Sequence, residues 1–114
     1  MRIAIIGSRN THGYTLEQLS QHIPDGCSMV LSGGAEGIDT LAREYAQQNG
    51  LAYQEFLPDY AQYGKAAPLH RNQQLVEASD YVLAFWDRRS RGTQQAIAHC
   101  LKAGIPVRII PLTE

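Results

Sequence analysis

The sequence has no surplus of charge of either sign. Ten Lys and Arg stand against eleven Asp and Glu in 114 residues, a formal net charge of −1. Proteins that hold nucleic acid mainly by its phosphates usually carry a basic excess, so on composition nucleic acid is not the expected partner. Cysteine is scarce. Cys27 and Cys100 match no metal-ligand spacing, so no metal site is read and each is expected to pack as a small apolar residue. Nothing points to an oxidising compartment, and no disulfide is expected. Long apolar runs are absent, none approaching the ~20 residues that span a bilayer. The apolar start Ile3–Ile6 stops at Gly7, too soon for a secretory h-region. The expectation is a cytoplasmic chain with no membrane partner.

What is present suits one compact domain over residues 1–114. Apolar residues make up 44% and charged residues 18%, enough for a core and too few charges for disorder. Five aliphatic runs recur: Ile3–Ile6, Ser28–Leu31, Ala52–Leu57, Tyr81–Phe85 and Val107–Ile110. None alternates strictly, as expected of strands covered on both faces in a parallel sheet. Helical patterns separate them. Ile38, Leu41, Ala42, Tyr45 and Ala46 form one face within Ala35–Gln48, stopped by Asn49-Gly50. Gln94–Ala103 repeats this logic with Ile97, Cys100 and Leu101, Leu69–Ala78 is a further helix and Tyr14–His22 a weaker one, and Pro58–Pro68 reads as an irregular loop over the site. The order predicts an α/β, Rossmann-like doubly wound sheet of about five mainly parallel strands, with helices on both faces.

In such a sheet a ligand sits beyond the carboxyl ends of the strands, where strand order reverses. Three segments that follow strands, and one that opens a helix, carry candidate site residues. Gly7, Ser8 and Arg9 follow the first strand; the glycine permits close approach and the other two offer donors to an anion. Ser32, Gly33 and Gly34 follow the second, just before a helix whose N-terminal amides attract phosphate. Asp39 there either meets a ribose hydroxyl or caps the helix, and Glu36 reads as a first-turn carboxylate complementing the helix dipole. After the fourth strand, Ser90, Gly92 and Thr93 open a helix with small donors. Trp86 either stacks on a base or packs under its loop. Arg71 and Asn72 open the helix before that strand. A guanidinium suits phosphate because its fork donates two bonds at once, although an isolated arginine is ordinarily a surface ion-pair partner.

Together these segments resemble the SLOG superfamily, which groups DNA-processing (SMF/DprA) proteins with Lonely Guy (LOG) enzymes. Gly7-Ser8-Arg9 and Ser32-Gly33-Gly34-Ala35-Glu36-Gly37-Ile38-Asp39 look like the DprA-type pair of loops. Arg71-Asn72, Ala78-Ser79-Asp80 and Ser90-Arg91-Gly92-Thr93 look like the second half of the pattern. The likeness is greatest to short stand-alone YspA- or YpsA-like members. It implies a domain that binds nucleotides or their derivatives, often as a homodimer. The LOG branch cleaves nucleoside 5′-monophosphates, and its pattern places an arginine at Arg71 and Gly-Thr at Gly92-Thr93. Its loop glutamate falls on Ala96, which can neither stabilise an oxocarbenium-like state nor activate water. Arg71, Asp87 and Glu36 are then the candidate catalytic residues. The leading expectation is binding of a nucleotide or nucleotide-derived phosphate ligand, with no cofactor. LOG-like hydrolysis and DprA-like single-stranded DNA binding are the alternatives.

Overall fold

A computed structural model describes residues 1–112. The strands are β1 (Arg2–Gly7), β2 (Met29–Ser32), β3 (Ala52–Glu55), β4 (Tyr81–Trp86) and β5 (Val107–Pro111). They form one sheet in the order β3-β2-β1-β4-β5, and every pairing is parallel. Parallel neighbours require a crossover, and helices supply each one. These are α1 (Leu16–Ser20), α2 (Ile38–Gln48), α3 (Tyr60–Tyr63), α4 (Ala67–Glu77) and α5 (Arg91–Ala103).

Side chains of a strand alternate between the faces of its sheet, and β1 shows how this builds two cores. Ile3 and Ile5 pack with Leu19, Ile38, Ala42 and Ala46 of α1 and α2. Ala4 and Ile6 pack on the other face with Leu75 and Val76 of α4 and with Ala96, Ile97 and Cys100 of α5. The first two crossovers thus lie on one face and the last two on the other, so strand order reverses between β1 and β4. Full burial on both faces holds for the central strands only. Edge strand β3 is largely exposed, and β5 leaves Ile109 open.

Three boundaries depart from the sequence reading. Residues 58–68 are not irregular. Asp59 caps α3 by accepting from the Gln62 amide, a 3-10 turn over Gly64–Ala66 follows, and α4 begins at Ala67 with proline in its first turn, where a missing N–H costs nothing. The α5 helix starts earlier than expected, at Arg91, because Ser90 caps it by accepting from the Thr93 amide. The α2 helix starts later, at Ile38, because Gly37 lies at φ 77° and cannot be helical. Glu36 therefore precedes the helix and is not a first-turn carboxylate. Cys100 is buried and Cys27 half-buried, both as free thiols. Among the described residues no helix is long and apolar enough to cross a membrane.

Gly37 fixes where the β1 and β2 loops meet. A Cβ there would collide with the backbone of Arg9 and Ser8. Replacing it by alanine adds that overlap to the left-handed strain of a side-chain-bearing residue, a combined cost of at least about 2 kcal/mol. Urea denaturation of Gly37→Ala is expected to show a clearly lower midpoint; an unchanged midpoint would mean the two loops are not in fixed contact.

Candidate functional site

Where strand order reverses, the loops after β1 and β2 face α4 and the N-terminus of α5 across a cavity of about 290 Å³. Of the residues singled out from sequence, Gly7, Arg9, Gly33, Asp39, Arg71, Asn72, Ser90, Gly92 and Thr93 all line it. Arg9 and Asp39 also border a second cavity of about 390 Å³, with Gly34, Glu36, Thr40, Arg43 and Glu55. The sequence reading missed Arg43 and Glu55. Both had a signal: Arg43 stands four positions after Asp39 on the same helix face, and Glu55 ends its strand at the carboxyl rim.

Arg71 is the centre of the first cavity. It is 9% exposed, so the ordinary reading as a surface ion-pair partner does not hold. Its Nη1 donates to the Gly33 carbonyl at 2.7 Å, and its Nε donates to Asn72 Oδ1 at 2.8 Å. Asn72 in turn donates to the Gly92 carbonyl. One arginine and one asparagine therefore tie the β2 loop to the first turn of α5. The close approach requires glycine at position 33, where a Cβ would stand 2.7 Å from Arg71 Nη1. Among the described residues Nη2 takes no partner, although the guanidinium lines the cavity. Burial lowers the proton affinity of Arg71, with Asp39 acting in the opposite sense; an arginine stays charged regardless.

Asp39 is the carboxyl of this cavity. Its Oδ2 accepts from the Ala35 amide at 3.1 Å, so it closes the β2–α2 loop, while Gly37 stands at the N-cap. Burial pushes its carboxyl up to about 6, against the downward pull of the Ala35 amide and of Arg71.

Other expected residues lie elsewhere or are already engaged. Ser8 uses all its polar groups internally: its amide donates to the Phe85 carbonyl, its carbonyl accepts from Ile38, and its hydroxyl accepts from the Asp87 amide. It fastens β1 to β4. Ser32 is fully buried and accepts from the Gly34 amide. Trp86 donates to the Ser90 carbonyl and faces a separate hollow with Arg88, Ile109 and Pro111, so it packs under its loop. Asp87 accepts from the amides of Arg89 and Ser90 and meets His12 at 3.3 Å. Burial would raise its carboxyl, but these donors outweigh it and hold the group well below the usual range. Asp87 is thus a loop brace and Glu36 a wall of the second cavity, while Ala96 presents only a methyl to the first. Several loop amides expected to be open are also taken, those of Gly34, Ala35 and Thr93 by Ser32, Asp39 and Ser90.

An all-parallel sheet with a cavity at its switch point defines a Rossmann-like α/β domain. Within that class the chain belongs to the YspA, cpYpsA-related SLOG family, whose model matches residues 1–63. The Gene 61 protein of Mycobacterium phage D29 is 39% identical over 85 residues, which cover 69% of this chain and 68% of that one. DNA processing protein A of Helicobacter pylori has the same fold with a TM-score of 0.74 at 21% identity, over 97% of this chain and 65% of that one. The Streptococcus pneumoniae protein matches at 0.77 and 20% identity, over 96% of this chain and 50% of that one. The chain thus spans less than two thirds of either DNA processing protein. The Helicobacter pylori protein has a single-stranded DNA binding mode, which overturns the expectation, drawn from net charge, that nucleic acid is not a partner. Net charge is the wrong measure, because a nucleic-acid contact depends on local charge. Here Arg88 and Arg89 lie in the loop before α5 and Arg91 opens that helix, whose first turn lines the cavity that also holds Arg9 and Arg71.

The raised Asp39 carboxyl makes a signed prediction. A folded-state value of about 6 against an ordinary 3.8 means the folded protein holds a proton that the unfolded chain gives up. The associated stability is full below about pH 4 and is lost as pH rises through about 6. Asp39→Asn keeps an acceptor for the Ala35 amide but does not titrate. Between pH 4 and 7 its stability relative to the parent is expected to rise by on the order of 2 kcal/mol, measured by denaturant titration. A pH-independent difference would remove the burial argument.

Proposed function

We propose that the chain binds a nucleotide or nucleotide-derived phosphate ligand, its phosphate lying between Arg71 and the first turn of α5. The observation that carries this reading is the guanidinium of Arg71, buried and held at two nitrogens, yet lining a cavity. An arginine fixed in this way is pre-organised for an anion and loses little freedom on binding one. The α5 helix adds its positive end, with Ser90, Gly92 and Thr93 at the cavity wall. Asp39 is suited to accept from a sugar hydroxyl. A nucleotide unit within a single strand presents the same phosphate, so short oligonucleotides belong in the same screen.

A second reading is hydrolysis of the N-glycosidic bond of a nucleoside monophosphate. It is favoured by one observation: Asp39 is a carboxyl in the same cavity whose proton affinity lies near neutrality, the property required of a general acid or base. It would act from the first turn of α2, in the cavity that Ala96 also lines. Base release from a panel of monophosphates, abolished in Asp39→Asn, is the result this reading requires.

Thermal-shift measurement against nucleotides tests the main reading, since a ligand specific for the folded state raises the melting temperature. Arg71→Ala is expected to weaken a nucleoside monophosphate by about 1.5–3 kcal/mol while leaving the parent nucleoside nearly unaffected. Equal losses for the two ligands would take the phosphate away from Arg71.

A further inference from the structure

The phosphate reading leaves the base without a place. Neither cavity is lined by an aromatic side chain, and Trp86 is turned into its own loop. Aromatic and apolar surface lies instead on the segment between β3 and α4. Five large apolar side chains are exposed among the described residues, and two of them, Leu57 at 66% and Tyr60 at 59%, fall within four positions here. Single exposed apolar residues need no explanation; what distinguishes this pair is where it stands. The Phe56 carbonyl, one residue before Leu57, accepts from Arg71 Nη1. Leu57 Cδ2 lies 3.1 Å from where a Cβ of Gly34 would be. The Tyr60 phenol is near enough to Arg71 to act on its charge. Leu57 thus stands beside Gly34, a residue in the wall of the second cavity, and Tyr60 is on the same segment, outside both cavity linings but within electrostatic reach of Arg71.

The segment is held in position, which a platform requires. Asp59 caps α3, and Tyr63 stacks on His70 with ring centroids 4.0 Å apart and planes 18° from parallel. His70 adjoins Arg71 on α4. Of the two tyrosines of α3, one is therefore spent on fastening the helix to α4, and the other is left exposed.

We infer that Leu57 and Tyr60 form a base-binding rim, on which the ring of a nucleotide unit stacks while its phosphate meets Arg71. The inference rests on the phosphate reading above. An aromatic face accepts any base through its π surface, so AMP serves as a probe, with ribose 5-phosphate as the same phosphate without a base. A short oligothymidylate run in parallel tells whether the base arrives free or in a strand.

Calorimetric titration of Tyr60→Ala is expected to show at least about fivefold weaker binding of AMP, of the oligothymidylate, or of both. Ribose 5-phosphate binding stays unchanged, and Tyr60→Phe retains the parent affinity because stacking does not need the hydroxyl. Tyr60 is exposed, so the alanine variant is expected to fold; an unchanged melting temperature checks this. Parent-like binding of AMP and oligothymidylate by Tyr60→Ala overturns the rim, as does an equal loss for ribose 5-phosphate. A parent protein that binds none of the three ligands overturns the phosphate reading, and the rim with it.

Discussion

The site depends on one buried arginine. Arg71 leaves α4, passes beside Gly33 where no side chain intrudes, and donates to the Gly33 carbonyl. Through Asn72 it also reaches the carbonyl of Gly92 at the start of α5. Two loops from opposite halves of the sheet are thereby held at a fixed spacing around one positive charge. Taking a guanidinium out of water is costly unless its donors are met. Here two nitrogens are satisfied by the protein, and the charge keeps an opening onto the cavity. The site is an arginine cradle braced by glycine loops, more than a nest of free amides.

The sheet places that cradle at its rim. Because α1 and α2 cover one face and α4 and α5 the other, the ends of β1 and β4 diverge into different crossovers and leave a gap between them. Ser8 closes the base of the gap by bonding to Phe85, Asp87 and Ile38, and Gly37 lets the β2 loop lie against Arg9. What remains open is the space in front of Arg71. Asp39 shares it as a carboxyl whose proton affinity burial raises to about 6, so below that pH its charge does not cancel the arginine.

Much of this was legible in the order of residues. The central strands announced themselves as apolar runs, β1 and β2 ended by glycine and serine, because burial on both faces leaves no polar position. The α2 face was legible from Ile38, Ala42 and Ala46, which are fully buried. The loops that meet at the cavity were legible because glycine, serine and arginine immediately after buried strands have few other uses. Less legible were the departures. Nothing in Pro58–Pro68 signalled a helix as short as α3, whose stability comes from the Asp59 cap and from the Tyr63–His70 stack. Gly37 looked like part of a helix start, but its positive φ ended that reading. Ser8 and Ser32 looked like ligand donors and Asp87 like a catalytic candidate, yet each takes part in the protein's own hydrogen bonding.

By itself the sequence determined the class of fold and most of the residues that line the first cavity, because hydrophobic period and turn chemistry are local properties that act wherever the chain goes. Which of those residues face a ligand was decided only by the tertiary structure. A serine hydroxyl, an amide or a guanidinium is available only if no partner from another element has taken it. Those partners lie many positions away: 79 from Ser8 to Asp87 and 38 from Gly33 to Arg71.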